Sequence, residues 1–490
     1  MPGLRQCVKP MTQRCRKLIS PNMLRITQNL QPLWQNFRFK AMKPLLTFYG
    51  DDFTGSTAVM EVLSFAGVPT MLFMEPPELD VLKDYPTLQA IGVAGTARSK
   101  DPAWMRSNLP PVFERLKNFG APVSHYKVCS TFDSSPEIGS IGVAIEIGDA
   151  IFGADWVPLV VGAPAIQRYQ AFGTLFANSG DSIHRLDRHP VMSRHPITPM
   201  NEADLRRHLT CQTNLEVGII TLAEIKAGQS SEAISKCLSD GARILAIDVV
   251  DDETLAEAGR LIWPLGSGSC FAVGSQGVEY ALVAHWRKTG TIRQFETPPL
   301  LTPVDQIFAV SGSCASTTED QIATAEAHGF QILNFDVSTV TAPKRLAAEL
   351  ERVQKESLKG LSENYDVLVT TARGPDDPMI KRMDEAINKT GMTPSAANER
   401  LGEALGQLVS DIRRITHMQR IAIAGGDTSG HVLSSLGAQA LSAVAPLAPG
   451  APLCRLHTNN DPEIDGLEVT LKGGQMGEPY FFLQAKGGKK

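Results

Sequence analysis

The chain has 490 residues, of which 43% are hydrophobic and 20% charged, and its formal net charge is -5. This length is too great for one ordinary core and predicts about two to four domains. The composition is typical of a soluble globular protein, the charge shows no bias toward nucleic acid, and no apolar run approaches the roughly 18 residues that cross a bilayer. We therefore expect neither a nucleic-acid partner nor a membrane.

The first 43 residues differ in composition from the rest of the chain. They contain nine Lys or Arg residues, and no Asp or Glu occurs before Asp51. This basic leader is either a transit segment or an upstream extension before a start at Met42, and we favour the extension. The eight cysteines are scattered, without a CxxC pair or a Cys/His ligand spacing, which indicates reduced thiols in a cytoplasmic protein and no zinc site.

The first apolar strand, Leu45–Tyr49, is followed by Gly50 and by two adjacent carboxylates, Asp51 and Asp52. The pattern predicts a buried strand, a tight turn and a helix start, which puts both charges at the carboxyl end of a strand, where α/β proteins bind ligands. Paired acids would repel a phosphate and suit hydroxyl groups, a metal ion or a proton. The competing interpretation is that one Asp caps the helix and the other is solvated.

Strands then alternate with helix-like windows, which predicts mostly parallel sheets with helices on both faces. A Pro-rich polar passage, Thr289–Pro303, breaks this pattern and marks a linker. The predicted strands before it are residues 70–74, 89–94, 123–129, 156–161, 216–221, 243–249 and 270–273. After it, strands are predicted at 305–310, 331–335, 366–371, 420–424 and 467–471, and helices near 315–328, 343–356, 397–416 and 428–437.

We therefore predict an α/β protein with two domains, each a mostly parallel sheet flanked by helices, and an active site in the cleft between them. The first domain covers residues 44–290 and the second residues 305–490, joined by a linker at 291–304.

Polar side chains near strand ends of the first domain supply acceptors for hydroxyls and guanidinium donors for an anion, the mix that a small sugar acid requires. The candidate substrate-binding residues are Asp51, Asp52, Arg98, Lys127, Asp133, Ser134 and Arg194. Arg194 belongs to a loop at residues 184–195 that is dense in Arg and His. Taken singly, Arg98 or Lys127 favours a surface or interdomain ion pair, and the loop fits a dimer or domain interface about equally well.

Three glycine-rich turns follow apolar strands in the second domain. Glycine permits close backbone approach, and a following helix directs its N–H groups at phosphate oxygens. Asp427 and Thr428 can orient Mg²⁺ or accept a proton. No turn matches a Walker A loop or a GxGxxG fingerprint, yet three of them in one domain favour a nucleotide. The candidate nucleotide-binding residues are Ser311, Ser313, Gly425, Gly426, Asp427, Thr428, Gly473 and Gly474.

Gly50–Gly55, Ser311–Cys314, Gly425–Gly430 and Lys472–Gly474 together resemble the four-carbon acid sugar kinase family, in the same order and over about residues 44–482. The resemblance implies a sugar-acid-binding first domain, a nucleotide-binding second domain, and ATP-dependent phosphorylation of the terminal hydroxyl of threonate, erythronate or 3-oxo-tetronate. It also implies substrate contacts for the candidates at positions 51, 52 and 98 and ATP contacts for those at 311, 425–428 and 473.

The chain departs from the family pattern in three places. Many members carry an Asp or Asn shortly after the residue that corresponds to Gly55, whereas this chain has Ser56, Thr57 and Ala58. The loop at residues 187–200 and the turn at 131–135 have the character of a subgroup feature. We therefore expect that the sugar acid can differ from the three usual ones.

The resulting hypothesis is a cytoplasmic kinase that uses ATP and Mg²⁺ on a small sugar acid. Asp52 or Asp427 would serve as the catalytic carboxylate, and Arg98 and Arg194 would neutralise the substrate carboxylate. The alternative is a non-catalytic ligand-binding or effector-like protein that keeps the two-domain cleft. A homodimer is allowed, and the sequence does not determine the oligomeric state.

Overall fold

The computed structural model describes residues 43–195, 197–264, 268–293 and 297–487, together with the backbone but not the side chain of Asp427. The leader before Lys43 lies outside the described residues. Every strand predicted from the alternating pattern is present. The strands are β1 Leu46–Gly50, β2 Thr70–Phe73, β3 Ala90–Ala94, β4 Val123–Lys127, β5 Val157–Val160, β6 Arg168–Ala171, β7 Thr174–Ser179, β8 Ser182–Arg185, β9 Val217–Ile220, β10 Ile244–Ile247, β11 Cys270–Gly274, β12 Phe308–Ser311, β13 Gln331–Asn334, β14 Val367–Thr370, β15 Arg420–Ala424, β16 Ala440–Ala448, β17 Ala451–His457 and β18 Glu468–Lys472.

Helices connect most of the parallel strands and cover the sheet. The α-helices among the described residues are α1 Phe53–Phe65, α2 Val81–Asp84, α3 Pro102–Asn118, α4 Ile141–Phe152, α5 Leu205–Thr210, α6 Leu222–Lys226, α7 Ser230–Ser239, α8 Asp252–Ile262, α9 Gly277–Thr289, α10 Ser316–Ala327, α11 Pro343–Ser362, α12 Pro378–Thr390, α13 Pro394–Thr416, α14 Gly426–Ser435 and α15 Phe481–Lys486. None of these helices is both long and apolar enough to cross a membrane.

The main sheet has 15 strands in the order β13-β14-β12-β15-β18-β17-β16-β2-β3-β1-β4-β11-β5-β10-β9. The five strands at one end and the eight at the other are parallel within each group, which confirms the predicted fold class. Both parallel groups have fully buried strands because helices cover the two faces. The carboxyl ends of neighbouring parallel strands therefore meet at a common edge.

The hairpin β16–β17 was not predicted, and it makes the two parallel groups into one sheet. β16 pairs antiparallel with β2 through Ala440 and Leu441, and β17 pairs antiparallel with β18. Alanine-rich β16 also contains Pro446. Alanine and proline are depleted in strands, so the pattern does not indicate a strand here.

A second sheet, β6–β7–β8, was also missed. Its strands are short, and β8 is mostly exposed. The Arg- and His-rich segment predicted to be a loop therefore begins in β8, at His184 and Arg185, and continues through two short 3₁₀ turns. The bounds of the predicted linker remain a prediction, although residues 297–307 contain neither helix nor strand.

The turn between β16 and β17 packs against α1. The Gly450 N–H donates to Glu61 Oε2 at 2.6 Å, and the Thr57 hydroxyl lies 3.2 Å from the Gly450 carbonyl oxygen. Burial raises the pKa of Glu61 to about 7, and the hydrogen bond from Gly450 opposes this rise. A titrating carboxyl group thus lies where the hairpin meets the first helix.

We predict that Glu61 makes the protein less stable as pH rises from about 4.5 to about 7. In this window the folded state retains a proton that the unfolded state has released, so raising the pH favours unfolding. Glu61→Gln keeps an acceptor for the Gly450 N–H and does not titrate. The difference between the urea-unfolding midpoints measured at pH 4.5 and at pH 7 should therefore be smaller in this variant than in the wild type.

The matched control for that experiment is Glu232→Gln, because Glu232 is exposed on α7. It should retain the pH dependence of the wild type. An unchanged pH dependence in Glu61→Gln would contradict the role assigned to Glu61.

Candidate active site

Asp52 caps helix α1. Its backbone is extended, with φ -141° and ψ 163°, and its Oδ1 accepts from the Gly55 N–H at 2.9 Å. The capping interpretation is therefore correct for one of the two acids. The side chain remains 25% exposed, and its Oδ2 has no hydrogen-bond partner among the described residues. Asp52 thus combines a structural role with an accessible oxygen.

Asp51 is buried rather than solvated, with 1% of its surface exposed. Arg98 holds its carboxylate in a two-pronged interaction, with Nη2 at 2.6 Å from Oδ1 and Nε at 3.2 Å from Oδ2. Burial raises the pKa of Asp51, and the Arg98 charge opposes that rise. Arg98 Nη2 also lies 2.7 Å from Asp52 Oδ1. One guanidinium therefore bridges both carboxylates, and its charge is compensated inside the protein.

Lys127 lies beside this group at the end of β4 and is 2% exposed. Its Nζ donates to the Val128 carbonyl oxygen at 2.7 Å. A Cβ added at Gly55 would lie 2.8 Å from Lys127 Nζ and would collide with Asp52 Oδ1. Gly55 is thus required because the capping carboxylate and the ammonium group approach its Cα closely.

The residues after Gly55 do not face this group of charges. Ser56, Thr57 and Ala58 are buried. The Ser56 hydroxyl donates to the Asp52 carbonyl oxygen at 2.6 Å, and the Thr57 hydroxyl donates to the Thr54 carbonyl oxygen at 2.8 Å. The hydroxyl groups at the two polar positions that depart from the family pattern are therefore used in hydrogen bonds within the start of α1.

The turn after β4 is tied to other parts of the first domain. Thr198 donates its hydroxyl to Asp133, and the same hydroxyl lies 2.9 Å from His195 Nδ1. Ser134 is 2% exposed, and its hydroxyl is within hydrogen-bond distance of Phe132, His208 and Gln212. The Ser134 hydroxyl is thus occupied within the protein. Arg194 is exposed in the short turn before His195, and among the described residues no partner is assigned to it.

The three glycine-rich turns are neighbours because β12, β15 and β18 are adjacent in the sheet. The Gly312 N–H donates to the Ala424 carbonyl oxygen, and the Gly425 N–H donates to the Lys472 carbonyl oxygen, each at 2.9 Å. The strand pairing therefore extends into the turns. Ser311 ends β12, and the Gly425–Thr428 turn leads directly into α14.

Glycine is needed in these turns for two reasons. Gly425 has φ +118°, a conformation that other residues rarely adopt. A Cβ added at Gly474 would lie 2.7 Å from the Ser313 hydroxyl, and one at Gly312 would collide with the Thr428 hydroxyl. By contrast, open space lies beside Gly426. A backbone cradle with hydroxyls around it, at the start of a helix, fits the phosphates of a nucleotide.

Lys472 begins the third glycine-rich turn and is a functional candidate that the sequence patterns did not indicate. Its side chain is 1% exposed, and its Nζ donates to Thr318 Oγ1 at 2.9 Å and to the carbonyl oxygens of Gly473 and Gly474 at 3.1 and 3.3 Å. Burial lowers its pKa to about 8. Thr318 lies 3.0 Å from the Ser313 hydroxyl, so Lys472 connects the first turn with the third.

The acidic group and the glycine turns meet at one place. Thr54, in the first turn of α1, has its Cγ2 at 3.7 Å from the position that a Cβ would take at Gly473. The predicted substrate-binding acids and the predicted phosphate-binding turn are therefore brought together. Asp427 lies in the first turn of α14, and its side chain lies outside the described residues.

Comparison with known proteins divides the chain into two domains. Residues 46–282 match the model of a sugar-binding N-terminal domain, and residues 308–482 match that of a nucleotide-binding C-terminal domain. A 3-oxo-isoapionate kinase of Paraburkholderia graminis is 44% identical over 91% of this chain and 94% of that protein. The chain belongs to the four-carbon acid sugar kinase family. It is a phosphotransferase that acts on an alcohol group, as that family's kinases are.

A more distant relative and two solved structures are similar to the chain over most of its length. A 3-oxo-tetronate kinase of Cupriavidus necator is 28% identical over 91% of this chain and 97% of that protein. Solved structures of a Salmonella typhimurium protein and a Haemophilus influenzae protein each cover 90% of this chain, with TM-scores of 0.72 and 0.68 at 22% identity. The matched regions make up 98% of the Salmonella chain and 99% of the Haemophilus chain, and the two structures show the fold.

We predict that Lys472→Met raises KM for ATP by about tenfold or more while KM for the acceptor stays unchanged. The variant removes the donor that holds two carbonyl groups of the Gly473–Gly474 turn, so the turn loses its defined position. Steady-state kinetics with each substrate varied in turn measures this difference.

Lys486→Met is the matched control, because Lys486 pairs with Asp366 at 2.8 Å and has no contact with the turn. It should leave KM for ATP unchanged. Equal effects on both KM values in Lys472→Met would argue for a general loss of structure instead.

Proposed function

We propose that this kinase transfers the γ-phosphoryl group of ATP to a hydroxyl of a small sugar acid that carries a 3-oxo group, in the cleft between the two halves. The observation that carries the proposal is the position of Thr54 of α1 beside the turn at Gly473, which brings the two half-sites close together. The relatives support the acceptor class, since the 44% identical protein is a 3-oxo-isoapionate kinase and several others are 3-oxo-tetronate kinases. Threonate and erythronate are weaker candidates on the same grounds.

Asp52 is the first candidate for the catalytic carboxylate. Its Oδ1 is held by the Gly55 N–H and by Arg98, so the side chain has a defined orientation. Its unpaired Oδ2 can then accept a hydrogen bond from the acceptor hydroxyl and take its proton as the bond to phosphorus forms. Asp427 stays a second candidate on sequence grounds.

Asp51 and Arg98 have a supporting role in this proposal. Asp51 is buried and fully engaged with Arg98, so it orients the guanidinium that in turn orients Asp52. Lys127 adds a buried positive charge next to the same carboxylate. The charges of two cations and two carboxylates therefore balance within this group.

The nucleotide would be held by the turns after β12, β15 and β18. When bound, ATP with Mg²⁺ supplies the phosphoryl group and neutralises part of its charge. The Gly425 N–H is paired with the Lys472 carbonyl oxygen, so the N–H groups that remain for phosphate oxygens are those of the first turn of α14, which begins at Gly426. The Thr428 hydroxyl lies beside Gly425. Mg²⁺ commonly takes only one or two protein ligands beside the phosphates, and Asp427 and Thr428 are the residues that we propose for this role.

The proposed function predicts ADP release that depends on a sugar acid. Purified protein with ATP and Mg²⁺ is incubated with 3-oxo-isoapionate, 3-oxo-tetronate, threonate or erythronate, and ADP is measured by a coupled assay. We expect the 3-oxo acids to give the highest kcat/KM and chelation of Mg²⁺ to stop the reaction. Tight binding of an acid without ADP release would instead support the ligand-binding alternative.

We further predict that Asp52→Asn lowers kcat by about 10²–10⁴-fold. Asn caps helices about as well as Asp, so the variant should keep its fold and its affinity for ATP. Asp427→Asn is measured in parallel. Full turnover in both variants would show that neither residue is the catalytic carboxylate.

Asp51→Asn provides the contrast for this pair of variants. Because Asp51 is 1% exposed and bound to Arg98, removing its charge should cost about 3 kcal/mol of unfolding free energy. Its main effect should therefore be on stability measured by denaturant unfolding, whereas that of Asp52→Asn should be on kcat.

A further inference from the structure

Arg168 is a further cation of the sugar-binding half, and none of the roles proposed above involves it. It begins β6, shortly after the carboxyl end of β5, and β5 adjoins β11, which adjoins β4. Its backbone pairs with that of Ala163, three residues beyond the end of β5, through hydrogen bonds of 2.8 and 3.1 Å. Arg168 therefore lies at the carboxyl edge of the parallel strands that also carries Asp51, beyond β1, and Lys127, at the end of β4.

The guanidinium of Arg168 is held by one of its two edges only. Its Nη1 donates to the carbonyl oxygens of Ile166 and Gln167, both at 3.2 Å. Gln167 has φ +56°, a conformation that few non-glycine residues adopt and that turns its carbonyl toward Arg168. Nε is buried and, among the described residues, has no partner, and none is assigned to Nη2. The Nε and Nη2 edge is the one that binds a carboxylate with two parallel hydrogen bonds.

Arg168 also has no carboxylate to balance its charge within the described part of the chain. Burial lowers its pKa. Leaving a buried guanidinium N–H without an acceptor costs free energy. Arg98, in contrast, already bridges two carboxylates. Arg168 is therefore better suited than Arg98 to bind an added anion.

We propose that Arg168 binds the carboxylate of the sugar acid through its Nε and Nη2 edge and so selects acids over neutral sugars. This proposal rests on the proposed function and reassigns a role that the sequence analysis gave to Arg98 and Arg194. The anion is the carboxylate of the acceptor, because Arg168 belongs to the sugar-binding half of the chain and the phosphate cradle to the other half.

The first test compares Arg168→Gln and Arg168→Lys with the wild type. Loss of a charge-assisted, two-pronged interaction should raise KM for 3-oxo-tetronate by about 10- to 100-fold in Arg168→Gln and leave KM for ATP unchanged. Arg168→Lys should recover part of the loss, because it restores the charge without the second parallel hydrogen bond. Arg185→Gln is the matched control, since Arg185 pairs with Asp187 at the exposed end of β8.

The second test removes the carboxylate from the substrate instead. Erythrulose is 3-oxo-tetronate with the carboxylate replaced by a hydroxymethyl group, so it keeps the ketone and the terminal hydroxyl. The wild type should prefer the acid strongly, and Arg168→Gln should lose that preference. A variant that retains the preference, or one that loses affinity for both compounds equally, would overturn the proposal. A rise in KM for ATP alone would place Arg168 on the phosphates and would overturn it as well.

A binding measurement separates this proposal from the proposed function. In thermal-shift experiments without nucleotide, 3-oxo-tetronate should raise the Tm of the wild type and of Arg185→Gln but not that of Arg168→Gln. Such binding without any ADP release would overturn the proposed function and leave the role of Arg168 supported. Equal shifts in all three proteins would overturn the role of Arg168 whether or not the enzyme turns over.

Discussion

The arrangement of the sugar-binding half depends on the buried ion pair between Asp51 and Arg98. A carboxylate with 1% exposure requires a partner, because an unpaired buried charge costs several kcal/mol. Arg98 provides it from the turn after β3, and the same guanidinium holds Asp52 at the start of α1. The end of β1, the start of α1 and the turn after β3 are thereby positioned relative to one another. A consequence is that the Arg98 charge is already compensated, so recognition of an anionic substrate requires another cation.

The second constraint is the continuity of the main sheet. The β16–β17 hairpin belongs by sequence to the nucleotide-binding half, yet β16 pairs with β2 of the sugar-binding half. Backbone hydrogen bonds therefore cross between the halves, and the turn at Gly450 contacts α1 directly. This fixes the position of α1, which carries Asp52 at its start, relative to the turn at Gly473. The two half-sites of a phosphoryl transfer need such placement, because in-line geometry is most of the catalysis.

Local sequence patterns were sufficient to predict the elements whose residue types are set by a single requirement, such as burial on both faces of a strand. The predicted parallel strands are all present, because strands that are buried on both faces must be continuously apolar and are bounded by glycine and polar residues. The glycine turns after β12, β15 and β18 were recognisable for a related reason. A larger residue would be strained at Gly425, where φ is +118°, and would displace the Ser313 hydroxyl at Gly474. By contrast, β16 contains alanine and a proline, and no local preference marks it as a strand.

The sequence by itself determined the α/β class and the order of the two halves, and it supplied the acids and glycines of the proposed site. These depend on apolar periodicity and on backbone conformations that only certain residues adopt. Only the tertiary structure decided that Asp51 is buried while Asp52 caps α1, that Lys472 holds a glycine turn, and that Arg168 keeps an unpaired edge. Burial and charge compensation depend on partners that lie from 47 residues away, as in Arg98 and Asp51, to 154 residues away, as in Lys472 and Thr318. Spacing along the chain does not reveal such pairs.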